Sequence, residues 1–249
     1  MRLAVLADIH GNLPALDAVL RDVEAAGADA IVLNGDLATG PMPAETLDRL
    51  AGLGDRAIWV RGNADRELAA ACDGVLDPGL PDVVRIPTEY CASRLDRRHR
   101  DLLAGLPLSV SLAVTGLGPV LFCHATARDD TEIVLVDSGL DKYRAAFDGT
   151  DEPTVVLGHT HMPFDRLADC RRFVNPGSVG MPYGGTGAYW ALLGPDVTLR
   201  RTGYDAEAAG ETFRSAAPGY PDLAEFIAEN MLTVPSDALA LATFSGSPG

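Results

Sequence analysis

Five short motifs hold most of the side chains in this sequence that could bind a metal ion or act on a phosphate. Asp8-Ile9-His10 follows an apolar run around Leu3, Val5 and Leu6, and Gly35-Asp36 follows Ala30 to Leu33. Gly62-Asn63-Ala64-Asp65-Arg66 follows Ala57 to Val60, His124 follows Pro119 to Cys123, and Gly158-His159-Thr160-His161 follows Thr154 to Leu157. Carboxylate and amide oxygens together with imidazole nitrogens are donors that transition metals accept. Asp8 and His10 stand two apart, so in extended chain their side chains point the same way and could form half a metal site. An Asp and a His in a strand-to-helix turn, the Asp capping the helix, is an equal reading of that pair alone. The whole set is harder to dismiss, because Asp8, His10, Asp36, Asn63, His124, His159 and His161 each follow an apolar run. Two cations ~3.5–4 Å apart, sharing one carboxylate, form the arrangement that clamps phosphoryl oxygens.

The elements that must position these residues can be read from the pattern. Short apolar runs ended by Gly-containing turns are strands buried on both faces. Leu13 to Ala26 has helical spacing (Leu16, Val19, Leu20, Val23) and is stopped by Gly27. With the strand before it and Ala30 to Leu33 after it, this is a βαβ unit, which predicts a parallel sheet. Ligands in such sheets sit past the carboxyl ends of the strands. A second helix is expected over about Ala44 to Ala51 and a short one over Glu67 to Cys72, with loop from Asp73 to Pro87. Ser93 to Leu106 reads as one basic amphipathic helix. Its His99 reads as a packing or surface residue, and Arg94, Arg97, Arg98 and Arg100 as a solvated face. Leu108 to Val114 and Pro119 to Cys123 suggest a hairpin, and Leu140 to Phe147 a helix. Phe173-Val174 runs into the turn-rich Asn175-Pro176-Gly177-Ser178-Val179-Gly180. Tyr189 to Leu193 and Val197 to Thr202 suggest antiparallel closing strands, followed by helices over Ala206 to Ala216 and Leu223 to Leu232. Residues 235–249 read as a loose tail. No linker divides the chain, so a single domain over 1–249 is expected.

Composition narrows the function classes. A hydrophobic fraction of 47% with 22% charged residues is that of a globular protein. No apolar run approaches the ~20 residues of a membrane span, and the first residues read as strand instead of a signal peptide, so a cytoplasmic location without membrane attachment is expected. A formal charge of −15 argues against binding to nucleic-acid backbones. The four cysteines, Cys72, Cys91, Cys123 and Cys170, lack C-x-x-C spacing and read as reduced structural residues. There is no G-x-x-x-x-G-K-[ST] loop, so a P-loop nucleotidase is unsupported. The first strand ends in D-I-H and not in a paired-aspartate nucleophile.

The ordered set D-x-H, G-D, G-N-x-D, a strand-end His and G-H-x-H resembles the calcineurin-like metallophosphoesterases, from about Leu3 to Leu193. More narrowly it is similar to the small bacterial and archaeal phosphodiesterase-type members, in which GHTH is followed by NPGSVG. The resemblance implies an α/β fold of two packed mixed β-sheets flanked by helices, a four-layer αββα sandwich. It implies two divalent transition-metal ions, Mn, Fe, Zn or Ni, since the donor set does not select among them. One ion would be held by Asp8, His10 and His161 and the other by Asn63, His124 and His159, with Asp36 bridging. The implied activity is hydrolysis of a small phosphate ester, most directly a phosphodiester, by a hydroxide between the ions. A phosphomonoesterase, a protein or nucleotide phosphatase, and a non-catalytic metal-binding scaffold are the alternatives. One departure stands out: many members have His where this chain has Ala64, and that His protonates the leaving oxygen. Asp65 is therefore a candidate catalytic residue, with a helix cap or an outer positioning partner as its other readings. Arg66 is a candidate phosphate contact or an ordinary surface arginine.

Overall fold

The structure, a computed structural model, describes residues 1–246. Two five-stranded mixed sheets pack face to face. The first runs in the order β10 (Val197–Thr202), β9 (Ala188–Leu193), β1 (Leu3–Leu6), β2 (Ala30–Asn34), β3 (Ala57–Val60). The second runs β4 (Ser109–Val114), β5 (Gly118–Cys123), β6 (Thr154–Val156), β8 (Arg171–Asn175), β7 (Phe164–Ala168). β1, β2 and β3 are mutually parallel, as are β5, β6 and β8. β4 pairs antiparallel with β5, and β9 with both β1 and β10.

The alternation along β1 shows why its sequence is apolar throughout. Leu3 and Val5 enter the core between the sheets beside Val32, Phe122, Val156 and Val174. Ala4 and Leu6 face the opposite way, into the core under the helices with Leu16, Val19 and Trp190. A strand buried on both faces has no position left for a polar residue until it ends. Beside this sheet lie α1 (Leu13–Ala26) and α2 (Pro43–Ala51). On the outer face of the second sheet, α6 (Leu140–Ala146) seats Tyr143 against Phe173 at 4.6 Å between ring centroids.

The middle of the chain differs from the sequence expectation. The short helix begins four residues early, as α3 (Asn63–Cys72), because Gly62 and Asp65 close its first turn. The last six residues of the expected loop are helical, as the start of α4 (Asp82–Arg94), with Pro87 inside it. The single helix expected from Ser93 is two: α4 stops, and Asp96 caps α5 (Arg97–Ala104) by accepting from the N–H of Arg98 and His99. His99 is buried at α5, with Nε2 3.1 Å from Asp48, away from the polar strand ends. β7 has no clear apolar alternation that would mark it in the sequence. After α7 (Ala206–Ala216) come α8 (Leu223–Ile227), a π-helical turn, and α9 (Asp237–Ser245). The tail expected to be loose is thus largely a capped helix, Ser236 Oγ accepting from Leu239 N–H; its last residues, 247–249, lie outside the described ones.

Candidate metal centre

The carboxyl ends of β1, β2, β5 and β6 open at one end of the sandwich, and the turns after them carry most of the candidate ligands. The turns do more than extend the strands. Asp8, His10, Asp36, His159 and His161 all have left-handed backbone, with φ between 47° and 65°. Non-glycine residues rarely adopt this conformation, and clusters of it mark functional sites. Asp8 and His10 therefore do not converge through strand alternation, since β1 ends at Leu6 and each residue turns inward on its own kink. Asn63 differs again, lying on the first turn of α3.

Six of the seven expected ligands, all but Asn63, meet in two groups that share one member. Asp8, His10, Asp36 and His161 bring one donor atom each within 4.8 Å of one another, and so do Asp36, His124 and His159. His10 Nε2 is 3.2 Å from His161 Nε2. His161 Nε2 lies 3.3 Å from Asp8 Oδ1, and His124 Nε2 lies 3.3 Å from Asp36 Oδ2. Asp8 Oδ2, His124 Nε2 and Asn63 Oδ1 are buried with no hydrogen-bond partner. Buried polar atoms without partners are costly, and cations held among these residues would give Asp8 Oδ2 and His124 Nε2 partners.

Backbone carbonyls fix the histidine tautomers. His10 Nδ1, His124 Nδ1 and His161 Nδ1 donate to the carbonyls of Thr39, Asn34 and Met181 at 3.2, 2.9 and 2.7 Å, so each Nε2 presents a lone pair to the centre. His159 is reversed: its Nε2 meets the Thr131 carbonyl at 3.1 Å, leaving Nδ1 for the centre. Burial, then the neighbouring histidines, lower the pKa of His10 and bring His159 to about 4, the neutral state a ligand needs. His124 moves the other way: burial lowers it, but the charges of Asp36 and Asp8 outweigh burial and raise it to about 10. Two buried carboxylates thus draw positive charge into this position, where a divalent cation would replace the proton.

Residues of the turn-rich N-P-G-S-V-G loop build this geometry. Ser178 Oγ donates to the Asp8 carbonyl at 2.7 Å, and Gly180 N–H donates to the same oxygen at 2.9 Å. Asn175 Nδ2 donates to the Gly158 carbonyl at 2.7 Å, tying this loop to the histidine pair. The N-P-G-S-V-G string was the available signal. Gly62 is required because a Cβ there would collide with the Asp36 carboxylate and backbone. Ala64 N–H donates to Asp36 Oδ1 at 2.8 Å, so position 64 contributes its backbone and no side-chain proton.

Asp65 is fully buried and occupied. Its Oδ2 accepts from the N–H of Asp36 and of Gly62, both at 2.9 Å, and its Oδ1 accepts from Leu37 N–H at 2.9 Å. Burial and the Asp36 charge push its carboxyl up to about 7, against the pull of those backbone donors. This is the geometry of a cap that joins the Asp36 turn to α3. Arg66 clamps Asp130 through Nε and Nη2 at 3.0 Å, and Arg61 Nε reaches the same carboxylate at 3.1 Å. Arg66 is therefore paired and not free to meet a phosphate. Glu67 lies one helical turn beyond Asn63, buried, with Oε2 unpartnered. From the other side α9 brings Phe244 to 6.3 Å from His159 and 6.2 Å from Tyr183, between ring centroids.

Comparison with known proteins agrees with this geometry. Residues 1–196 match the calcineurin-like phosphoesterase superfamily domain. Phosphodiesterase YfcE of Escherichia coli (strain K12) is 27% identical over 206 residues, covering 79% of this chain and 89% of YfcE. The metallophosphoesterase structure from Sphaerobacter thermophilus superposes with a TM-score of 0.71 at 28% identity, covering 93% of this chain and 99% of that one. The structure of hypothetical protein PH1004 from Pyrococcus horikoshii OT3 gives 0.80 at 21% identity over 94% and 99%, a likeness of fold. With its two mixed sheets, its flanking helices and its buried Asp/His clusters, the chain belongs to the calcineurin-like phosphoesterase superfamily, metal-dependent hydrolases of phosphoric esters.

Proposed function

We propose that this protein is a dinuclear phosphodiesterase acting on a small ester. The observation that carries the reading is the sharing of Asp36 between the two donor groups, since a carboxylate can give one oxygen to each of two ions. Asp8, His10 and His161 would hold one ion with Asp36, and Asn63, His124 and His159 the other. Two divalent cations, when bound, supply a water of lowered pKa and offset charge on the phosphoryl oxygens. The remaining chemistry belongs to the chain. Asp65 and Ala64 N–H orient Asp36, and the three carbonyls behind His10, His124 and His161 hold their tautomers. Loop 175–180 fixes the Asp8 and His159 turns. Ala64 offers no proton, so the leaving oxygen departs without help from that position. Similarity to a phosphodiesterase over most of its length supports the diester over the monoester.

The test is reconstitution with Mn²⁺, followed by elemental analysis and by assays on bis(p-nitrophenyl) phosphate and p-nitrophenyl phosphate. Two ions per chain and a higher kcat/KM for the diester are expected. A protein that retains no ion from excess Mn²⁺, or that turns over only the monoester, would overturn the reading.

A further inference from the structure

A cleft of about 500 Å³ opens beside His161. Its walls are apolar and aromatic: Tyr183, Tyr220 and Phe226 line it, the last two nearly buried and 5.6 Å apart in an edge-to-face pair. Its rim carries Asp222, Glu225 and Glu229, all exposed. Glu225 and Glu229 stand four apart across the α8–π-helical junction, on one face. Among the described residues none of these three carboxylates takes part in an ion pair, and no Lys or Arg lines the cleft. Asp82, the fourth acid at the rim, is held by Arg85 at 2.6 Å.

The position of the cleft sets what can enter it. His161 belongs both to this wall and to the metal centre. A diester with its phosphorus at the centre has two organic groups, and this space adjoins the centre through His161. Aromatic faces beneath unpaired carboxylates attract an alkylammonium group and repel a second phosphate. A polyphosphate chain would meet three uncompensated negative charges there.

We propose that the cleft binds the organic group that stays on phosphorus, and that this group is a cationic alkyl chain of the aminoalkyl or trimethylammonioalkyl kind. The proposal rests on the phosphodiesterase reading and deepens it. In the reaction, a water oxygen bonds to phosphorus as the bond to the other alcohol's oxygen breaks. The products are the cationic alkyl phosphate monoester, the freed alcohol or phenolate, and any proton the latter does not retain.

Two p-nitrophenyl phosphodiesters of equal shape separate the possibilities, one carrying 2-(trimethylammonio)ethyl and the other its neutral carbon analogue, 3,3-dimethylbutyl. With Mn²⁺-reconstituted protein at low salt, the cationic ester should have the higher kcat/KM by about tenfold. The ratio should shrink as NaCl screens the rim, and in Glu225→Gln/Glu229→Gln it should fall to about threefold or less. Equal rates for the two esters, or a ratio insensitive to both salt and the double substitution, overturn the cationic assignment and leave the phosphodiesterase reading standing. Turnover of neither ester overturns both.

Discussion

Replacing Asp65 separates a structural carboxylate from a proton donor. In the folded chain its two oxygens accept from three backbone N–H groups and are shielded from water. Asp65→Ala leaves those donors buried without partners. Each such loss costs about 1–3 kcal/mol, less whatever relaxation returns, so we expect a destabilisation of about 4 kcal/mol. Asp65→Asn keeps one oxygen, which can serve the Asp36 and Gly62 donors, but turns an NH₂ group toward Leu37 N–H. Its expected cost is about 2 kcal/mol. With a urea m-value of about 3 kcal/mol/M, the midpoints should fall by about 1.3 M and 0.7 M. The measurement is urea unfolding of the metal-stripped protein, so that lost metal affinity does not enter the comparison. Both variants should also bind metal more weakly, because Asp36 and α3 are no longer joined. An Asp65→Asn protein with wild-type stability and full metal content that had nonetheless lost kcat, together with one limb of its pH profile, would refute the reasoning and make Asp65 the proton donor.

Other consequences follow from the same geometry. Asp36→Asn should lower the content of both ions and Asn63→Ala mainly that of one, read by elemental analysis after dialysis. Since Ala64 has no proton to give, rates for a graded series of aryl phosphodiesters should depend steeply on phenol pKa; general-acid help is typically worth 10²–10⁴-fold, and a flat dependence with chemistry rate-limiting would show that another group supplies the proton. Ala64→His should then help alkyl esters more than aryl ones. Thiol titration near about pH 8 in native buffer should find Cys170, which is exposed, and more slowly the half-buried Cys72. Cys91, pushed up to about 12 by burial, and Cys123, raised by the same cause, should react only after unfolding.

The candidate ligands and the strands that deliver most of them are legible in the sequence. Runs such as Leu3–Leu6 and Ala30–Asn34 are apolar at every position because both faces are covered, so the first polar residue after each run marks the strand's end and the mouth of the site. Helix α1 was equally legible, with a 3.6-residue apolar stripe and a glycine in left-handed backbone at its end. Long-range contacts set what no local pattern encodes. Asp8 and His161 are far apart in sequence, yet they meet because parallel strands of two different sheets end at the same level. The left-handed kinks that aim the side chains are held by hydrogen bonds from residues far away in the chain, Ser178 and Gly180 on Asp8 among them. Asp65 reads in the sequence as a cap, an outer partner or an acid, and the three backbone donors on its carboxylate come only with the fold. Helices α4 and α9 are not legible in the sequence for a related reason. α4 contains a proline, and neither helix has a strong amphipathic stripe, so their placement depends on the surfaces they cover. Residues of α4 line the cleft beside His161, while α9 sets Phe244 near His159.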